Sequence, residues 1–267
     1  MQITCMHKIG ALGGRAVRIW EALLDFVYPP HCLLCRSPLE GEESGLCAAC
    51  WSEFGIIRGH RCHRCGCPAT SGLDSCGNCA GKVYEFSRMQ ALAPFNRPVQ
   101  RLIHMLKYQG RVSAGHVLGS ALGRSLAGDD MAGDGTVMVP VPLHGSRQRE
   151  RGYNQSALIA RAAGAVLGLP VRQRTLLRTR ATPTQTALGL TERAANVADA
   201  FRVRQVHGVY GRTVLLIDDV ITTGATANAC TKALLRAGVK EVFVAAAASP
   251  YFDAEGRPHM LLTPGAV

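Results

Sequence analysis

The sequence predicts an α/β fold: a parallel sheet with helices on both faces, plus a small N-terminal cysteine-rich module. Three observations carry this. Short apolar runs at residues 136–143, 213–217 and 241–248 alternate with helix-like segments, the pattern of strands buried on both faces. Nine of the eleven cysteines crowd between Cys32 and Cys79, mostly as C-x-x-C pairs. The run from Val214 to Ile217 leads into two carboxylates, a short loop rich in small hydroxyl residues, and then a helix-like stretch.

Taken in order, residues 14–27 read as an amphipathic helix, with Val17, Trp20, Leu23, Leu24 and Val27 on one stripe. Pro29 and Pro30 end it. Residues 31–82 show no long periodic segment, so this stretch needs something other than a core to hold it. Helices are expected at 100–108, 113–126, 154–167 (stopped by Gly168 and Pro170) and 226–237 (ended by Gly238), with strands at the three apolar runs. Residues 178–196 are polar and Thr-rich and read as a loop. The expected division is an N-terminal helix over 1–28, a metal module over 29–82, the α/β domain over 83–250 and a tail over 251–267.

Composition bounds the function. The 267 residues, 47% hydrophobic, allow a globular core. Net charge is +11, from 30 Lys+Arg against 19 Asp+Glu, which suits phosphate-bearing partners. Arg15, Arg18, Glu21 and Asp25 interrupt the first apolar stretch, so neither a secretory leader nor a membrane span is expected. A cytoplasmic location is the expectation.

The cysteines fall into two sets. Cys32-x-x-Cys35 and Cys47-x-x-Cys50 are separated by eleven residues; Cys62-x-x-Cys65 and Cys76-x-x-Cys79 by ten. A C-x-x-C turn brings two thiolates to one ion, and two turns complete a tetrahedral site suited to zinc. Two zinc ions are expected, one for each set. An iron–sulfur site and interleaved ligands between the sets remain open alternatives, with Cys67 and His63 as spare ligands. Cys230, within a helix-like stretch, is expected in the core; Cys5 is isolated.

The second site begins at Val214. Asp218 and Asp219 end an apolar strand, where open α/β sheets bind ligands. Thr222, Thr223, Gly224, Ala225 and Thr226 then lead into a helix, and amides at a helix start with nearby hydroxyls cradle an anion. Paired carboxylates can take ribose hydroxyls or hold Mg²⁺ by way of water. A ribose 5-phosphate satisfies both halves.

The stretch VLLIDDVITTGATA, Val214 to Ala227, resembles the phosphoribosyl-pyrophosphate (PRPP) motif of type I phosphoribosyltransferases. The wider chain is similar to the ComF family, the phosphoribosyltransferase-like proteins linked to bacterial competence. The likeness rests on LLDFVYPPHCLLC from Leu23, the paired cysteines, LIHMLKYQGR from Leu102 and VPVPLHGSRQRERGYNQSALIA from Val139, with Thr184, Gln185, Arg193, Asn196 and Phe201.

The resemblance implies a type I phosphoribosyltransferase-like sheet and a double zinc ribbon. It places Asp218 and Asp219 against the ribose, and as catalytic residues if transfer occurs. It gives Thr222, Thr223, Gly224, Ala225 and Thr226 the 5-phosphate and Leu143, His144 and Gly145 the pyrophosphate. It makes residues 178–196 a lid. Lys107 and Arg151 are candidate phosphate or nucleic-acid contacts, Tyr108 and Tyr153 are either nucleic-acid stacking rings or core rings, and Arg147, Arg149, Arg172, Arg174 and Arg178 are either contacts or a solvated surface. The implied role is PRPP and Mg²⁺ binding with single-stranded DNA during DNA uptake, beside helicase machinery. The alternatives are an enzyme passing phosphoribose to a nucleobase or amine, and a PRPP-sensing regulator.

Overall fold

The computed structural model describes residues 31–39, 45–57, 62, 64–66, 79, 83–180 and 200–250. The expected helix at 14–27, the lid beyond Arg180, the tail, and Cys5, His63, Cys67 and Cys76 lie outside the described residues. The chain divides into two compact units, residues 1–51 and 52–267. The break falls inside the cysteine-rich segment, whereas the sequence suggested one after residue 82.

The described elements are α1 (Ala48–Phe54), β1 (Arg88–Pro94), α2 (Arg97–Tyr108), α3 (Val112–Leu126), a 3-10 turn (Asp130–Ala132), β2 (Val137–Pro140), α4 (Gly145–Arg151), α5 (Gln155–Leu167), β3 (Leu176–Arg178), β4 (Phe201–Val203), β5 (Thr213–Val220), α6 (Ala225–Arg236) and β6 (Glu241–Ser249). Four strands pair in parallel in the order β1-β6-β5-β2. β3 and β4 form a separate antiparallel pair.

The sheet is apolar on both faces, as its helical covers require. On one face Val214 and Leu216 of β5 join Val242, Val244 and Ala246 of β6. These share a buried cluster with Ala227, Cys230 and Leu234 of α6 and with Leu176 and Phe201 of the small pair. Leu215 and Ile217 alternate to the other face and are fully buried. α3 and α5 pack against each other and against the sheet. Gly119 makes their close approach possible: a Cβ there would sit 2.4 Å from the Ile159 carbonyl oxygen. Leu118, Leu122 and Ile159 are fully buried beside it, each contributing about 1.5–3 kcal/mol.

Local signals set the helix ends. Asn96 caps α2 by accepting from Val99 N–H at 3.3 Å, and Asn154 caps α5 by accepting from Ser156 N–H at 3.0 Å. Gly168, with φ of 68°, ends α5 in the left-handed region. These caps bring the C-terminus of α2 and the N-terminus of α5 to the C-terminal edge of β5.

Candidate functional site

A cleft of about 420 Å³ opens at the C-terminal end of β5. β5 runs on to Val220, so Asp218 and Asp219 belong to the strand itself and are held rigidly. Their side chains alternate between faces, and different helices meet them. Asp218 accepts from the Ser156 hydroxyl at the start of α5 at 3.1 Å, and from the Asp219 amide at 2.9 Å. Asp219 forms an ion pair with Lys107 from the last turn of α2. Both carboxylates are buried, at 9% and 5% exposure.

Two buried carboxylates on adjacent residues cannot be equivalent. Burial raises Asp218 well above the ordinary carboxylate value, and the neighbouring Asp219 charge adds to this. Burial also opposes ionisation of Asp219, but the Lys107 ammonium outweighs it and holds Asp219 below the usual range. Burial likewise disfavours the Lys107 charge, and the two carboxylates reverse that, so its value is raised. One cation thus serves two acids. Lys107 thus lines the cleft with its ammonium on the carboxylates.

The loop after β5 turns at Gly224, whose φ of 77° lies in the left-handed region. α6 begins at Ala225, and residues Thr222, Thr223, Gly224, Ala225 and Thr226 all line the cleft. The Thr223 hydroxyl accepts from Ala225 N–H at 3.3 Å, bracing the turn. Leu143, Arg147 and Arg178 line the same cleft. His144 sits at the start of α4, its Nδ1 accepting from Ser146 N–H at 3.3 Å. It bridges to Arg178 through the backbone, which fixes the end of β3 beside α4. His144 and Gly145 do not line the cleft; Leu143 does. Burial lowers the Arg178 value and the nearby Arg147 charge lowers it further. The Arg178 guanidinium lies 5.5 Å from the centre of the Phe201 ring.

The remaining surface candidates separate. Tyr108 is 66% exposed, with the Arg151 guanidinium 5.6 Å from its ring centre and the His104 ring at 5.0 Å. Arg151 also donates to Gln155 Oε1 at 2.7 Å. Tyr153 is half-buried, its hydroxyl donating to the Leu106 carbonyl. It ties the turn before α5 to α2.

The cysteines gather into two groups. The Sγ atoms of Cys32, Cys35, Cys47 and Cys50 all lie within 4.8 Å of one another, as do those of Cys62, Cys65 and Cys79. Cys35 and Cys47 are 3.5 Å apart, and Cys62 and Cys79 3.6 Å. A disulfide needs about 2.05 Å. A tetrahedron with metal–sulfur bonds of about 2.3 Å has edges near 3.8 Å, so these donors fit zinc. Cys76, the fourth of the second set, lies outside the described residues. The Ser37 hydroxyl and backbone bring the Cys35 thiol down to about 6. Burial opposes ionisation of Cys62, but the amides of Cys65 and Arg64 bring it to about 7. In the same first group the Cys50 amide lowers Cys47 but the Cys35 thiol outweighs it, and burial pushes Cys50 up.

The second group is built into the α/β unit. Cys62, Cys65 and Cys79 belong to the buried cluster that includes Phe86, Met89 and Ala227. Met89 N–H donates to the Arg64 carbonyl at 3.0 Å, docking the knuckle on β1.

A family model described as a double zinc ribbon domain matches residues 23–80. The DNA utilization protein YhgH of Escherichia coli K12 is 34% identical over 223 residues, which is 81% of this chain and 95% of that protein. Competence protein F of Haemophilus influenzae is 30% identical over 80% of this chain and 94% of its own length. The chain belongs to the ComF family. Among solved structures, the allosteric regulatory enzyme of purine biosynthesis aligns at 23% identity and a TM-score of 0.36, over 55% of this chain and 30% of that one. The ComF assignment rests on the relatives and the zinc-ribbon match, and the parallel sheet on the strand pairing itself.

Several residues of this ComF cleft escaped the sequence reading. Ser156 and Gln155 sit in an ordinary helix start, and nothing local marks Ser156 as the partner of Asp218 or Gln155 as lining the cleft. Of the arginines that the sequence leaves as either contacts or solvated surface, Arg147 and Arg178 line the cleft. Among the described residues no helix is long and apolar enough to cross a membrane.

Proposed function

We propose that this ComF-family protein binds PRPP, or a related ribose phosphate, with Mg²⁺ in the cleft of β5, and uses that site in handling single-stranded DNA during DNA uptake. One observation carries the reading. A buried carboxylate pair, with Lys107 on one member and Ser156 on the other, adjoins a glycine-turned loop at a helix start within one cleft. The loop suits the 5-phosphate and the carboxylates suit the ribose hydroxyls. The metal would add charge for the pyrophosphate oxygens, held by Asp218 and Asp219 through water. Arg147 and Arg178 supply cations in the same cleft for the pyrophosphate, with Leu143.

The cysteine groups would each hold one zinc ion, with Cys76 completing the second. The names of the relatives, DNA utilization and competence proteins, support a DNA-linked role. On the surface, the Tyr108 ring with Arg151 over it suits base stacking beside a phosphate contact. Titrating fluorescent single strands at several salt concentrations tests this. Affinity should fall steeply with salt, and Arg151→Ala should flatten the slope by about one unit. Salt-indifferent or absent binding removes the DNA half.

The retained carboxylate pair and the two arginines also support a second reading, transfer of phosphoribose to a nucleobase or amine. A nitrogen of the acceptor would bond to the anomeric carbon as the bond to pyrophosphate breaks, and the arginines would stabilise the leaving group. Pyrophosphate release on incubation with candidate acceptors decides it. Binding of PRPP without release would favour the ligand as a regulatory signal.

A further inference from the structure

We propose that Tyr84 is a positioning residue of the phosphate loop, and that the second cysteine group holds Tyr84 in place. This rests on residues 222–226 being that loop.

Tyr84 lies five positions after Cys79, in the segment that joins the second cysteine group to β1. Its hydroxyl donates to the Thr223 carbonyl at 3.2 Å. A peptide unit is planar and trans, so its C=O and N–H point in opposite directions. Thr223 C=O and Gly224 N–H share one such unit. Anchoring the carbonyl on Tyr84, which is outside the cleft, turns the Gly224 amide toward the opposite side, where Gly224 lines the cleft. The ring also reaches the turning residue itself: a Cβ on Gly224 would lie 3.2 Å from Tyr84 Cε1. The next residue holds the helix start. Glu85 N–H donates to Asn228 Oδ1 at 2.7 Å, and Asn228 N–H donates to the Gly224 carbonyl at 2.8 Å.

The strap is fixed from behind. The Tyr84 and Phe86 rings stack at 4.7 Å. Phe86 is 2% exposed in the cluster that contains Cys62, Cys65 and Cys79 and also Ala227 of α6. Ser87 N–H donates to the Val242 carbonyl at 2.9 Å, tying the strap to β6. A glycine turn without such contacts samples many conformations. The strap selects one of them, and the thiolate group anchors the strap. The four thiolates with their metal would therefore act on ligand affinity without touching the ligand.

The test uses the full zinc-loaded protein and two probes, ribose 5-phosphate and inorganic pyrophosphate, each with Mg²⁺. Tyr84→Phe keeps the ring and loses one hydrogen bond. It should weaken ribose 5-phosphate about five-fold and leave pyrophosphate and zinc content unchanged. Amide exchange should quicken across residues 222–228 and stay the same across 214–217. Cys62→Ser, which opens the second group, should weaken ribose 5-phosphate at least as much and quicken exchange across residues 222–228 more than across 214–217, with one zinc lost. Uniform weakening of both probes would make Tyr84 a general structural residue and overturn the proposal. Wild-type affinity and exchange in Tyr84→Phe would also overturn it. If the wild type binds neither probe, the ribose-phosphate reading falls, and the exchange measurement still decides whether Tyr84 orders the loop.

Discussion

Lys107 carries a prediction that can be worked through from the site. Replacing it with methionine keeps the stem and removes the only cation paired with Asp219 among the described residues. Asp219 then stays buried beside Asp218 without its ion-pair partner. Removing one partner of a buried pair costs about 3–5 kcal/mol. Lys107 keeps 23% exposure, so the lower end, about 3 kcal/mol, applies. Protonation of the orphaned acid caps the loss. From an ordinary carboxylate value, that costs about 4 kcal/mol at pH 7 but only about 1.5 kcal/mol at pH 5. In the wild type Asp219 is depressed, so its stabilisation is present above the unfolded value and fades as pH falls. The mutational loss must therefore shrink on acidification. With about 2–4 °C per kcal/mol, Lys107→Met should lower Tm by about 6–12 °C at pH 7 and by no more than about half of that at pH 5. Adding Asp219→Asn to Lys107→Met should recover most of the loss. Thermal unfolding followed by circular dichroism reads all three. An equal loss at both pH values, or no recovery in the double variant, would refute the electrostatic argument.

Other consequences follow from the same geometry. Cys62→Ser should lower the unfolding temperature of the α/β unit, because Cys62 is in its buried cluster, whereas Cys32→Ser should expose sites only within residues 1–51; limited proteolysis with mapped fragments separates the two. Affinity for PRPP with Mg²⁺ should rise as pH climbs past the ordinary carboxylate range, since burial and the Asp219 charge keep Asp218 protonated there, and Asp218→Asn should flatten that profile in calorimetric titrations. Elemental analysis of the reduced protein should find about two zinc ions per chain; iron, or no metal, would contradict the ligand assignment.

Much of this was legible where one local signal sufficed. The runs ending at Asp218 and Ser249 are apolar throughout, and α5 has both an Asn cap and a Gly stop, so strand and helix appear at the expected places. The paired cysteines announce their groups by spacing alone. β1 was not legible because Arg88 and Gln90 break its apolar pattern, although Gln90 is buried. α4 was missed because GSRQRER has no apolar face; caps at His144 and Gly152 hold it. β3 and β4 pair across a long intervening segment, which no local pattern reports. Lys107 and Ser156 meet the carboxylates, and Arg147 and Arg178 reach the cleft, only through tertiary packing. The docking of the second cysteine group on β1 depends on Gly66, whose φ of 66° and absent Cβ let it sit against the Met89 backbone; from sequence that glycine is one of many.

The most direct test of the central claim is the shift in Tm on adding PRPP with Mg²⁺, measured for the wild type and for the double variant Asp218→Asn, Asp219→Asn. A ligand that binds only the native state at 100 times its Kd stabilises it by about 2.7 kcal/mol, or about 5–11 °C for a chain of this size. The wild type should show a shift of that order; the double variant starts from a lower Tm, because Lys107 loses its partner, but keeps the apolar strand and should show little or no shift. No shift in the wild type, or the same shift in both proteins at equal Mg²⁺, would contradict it.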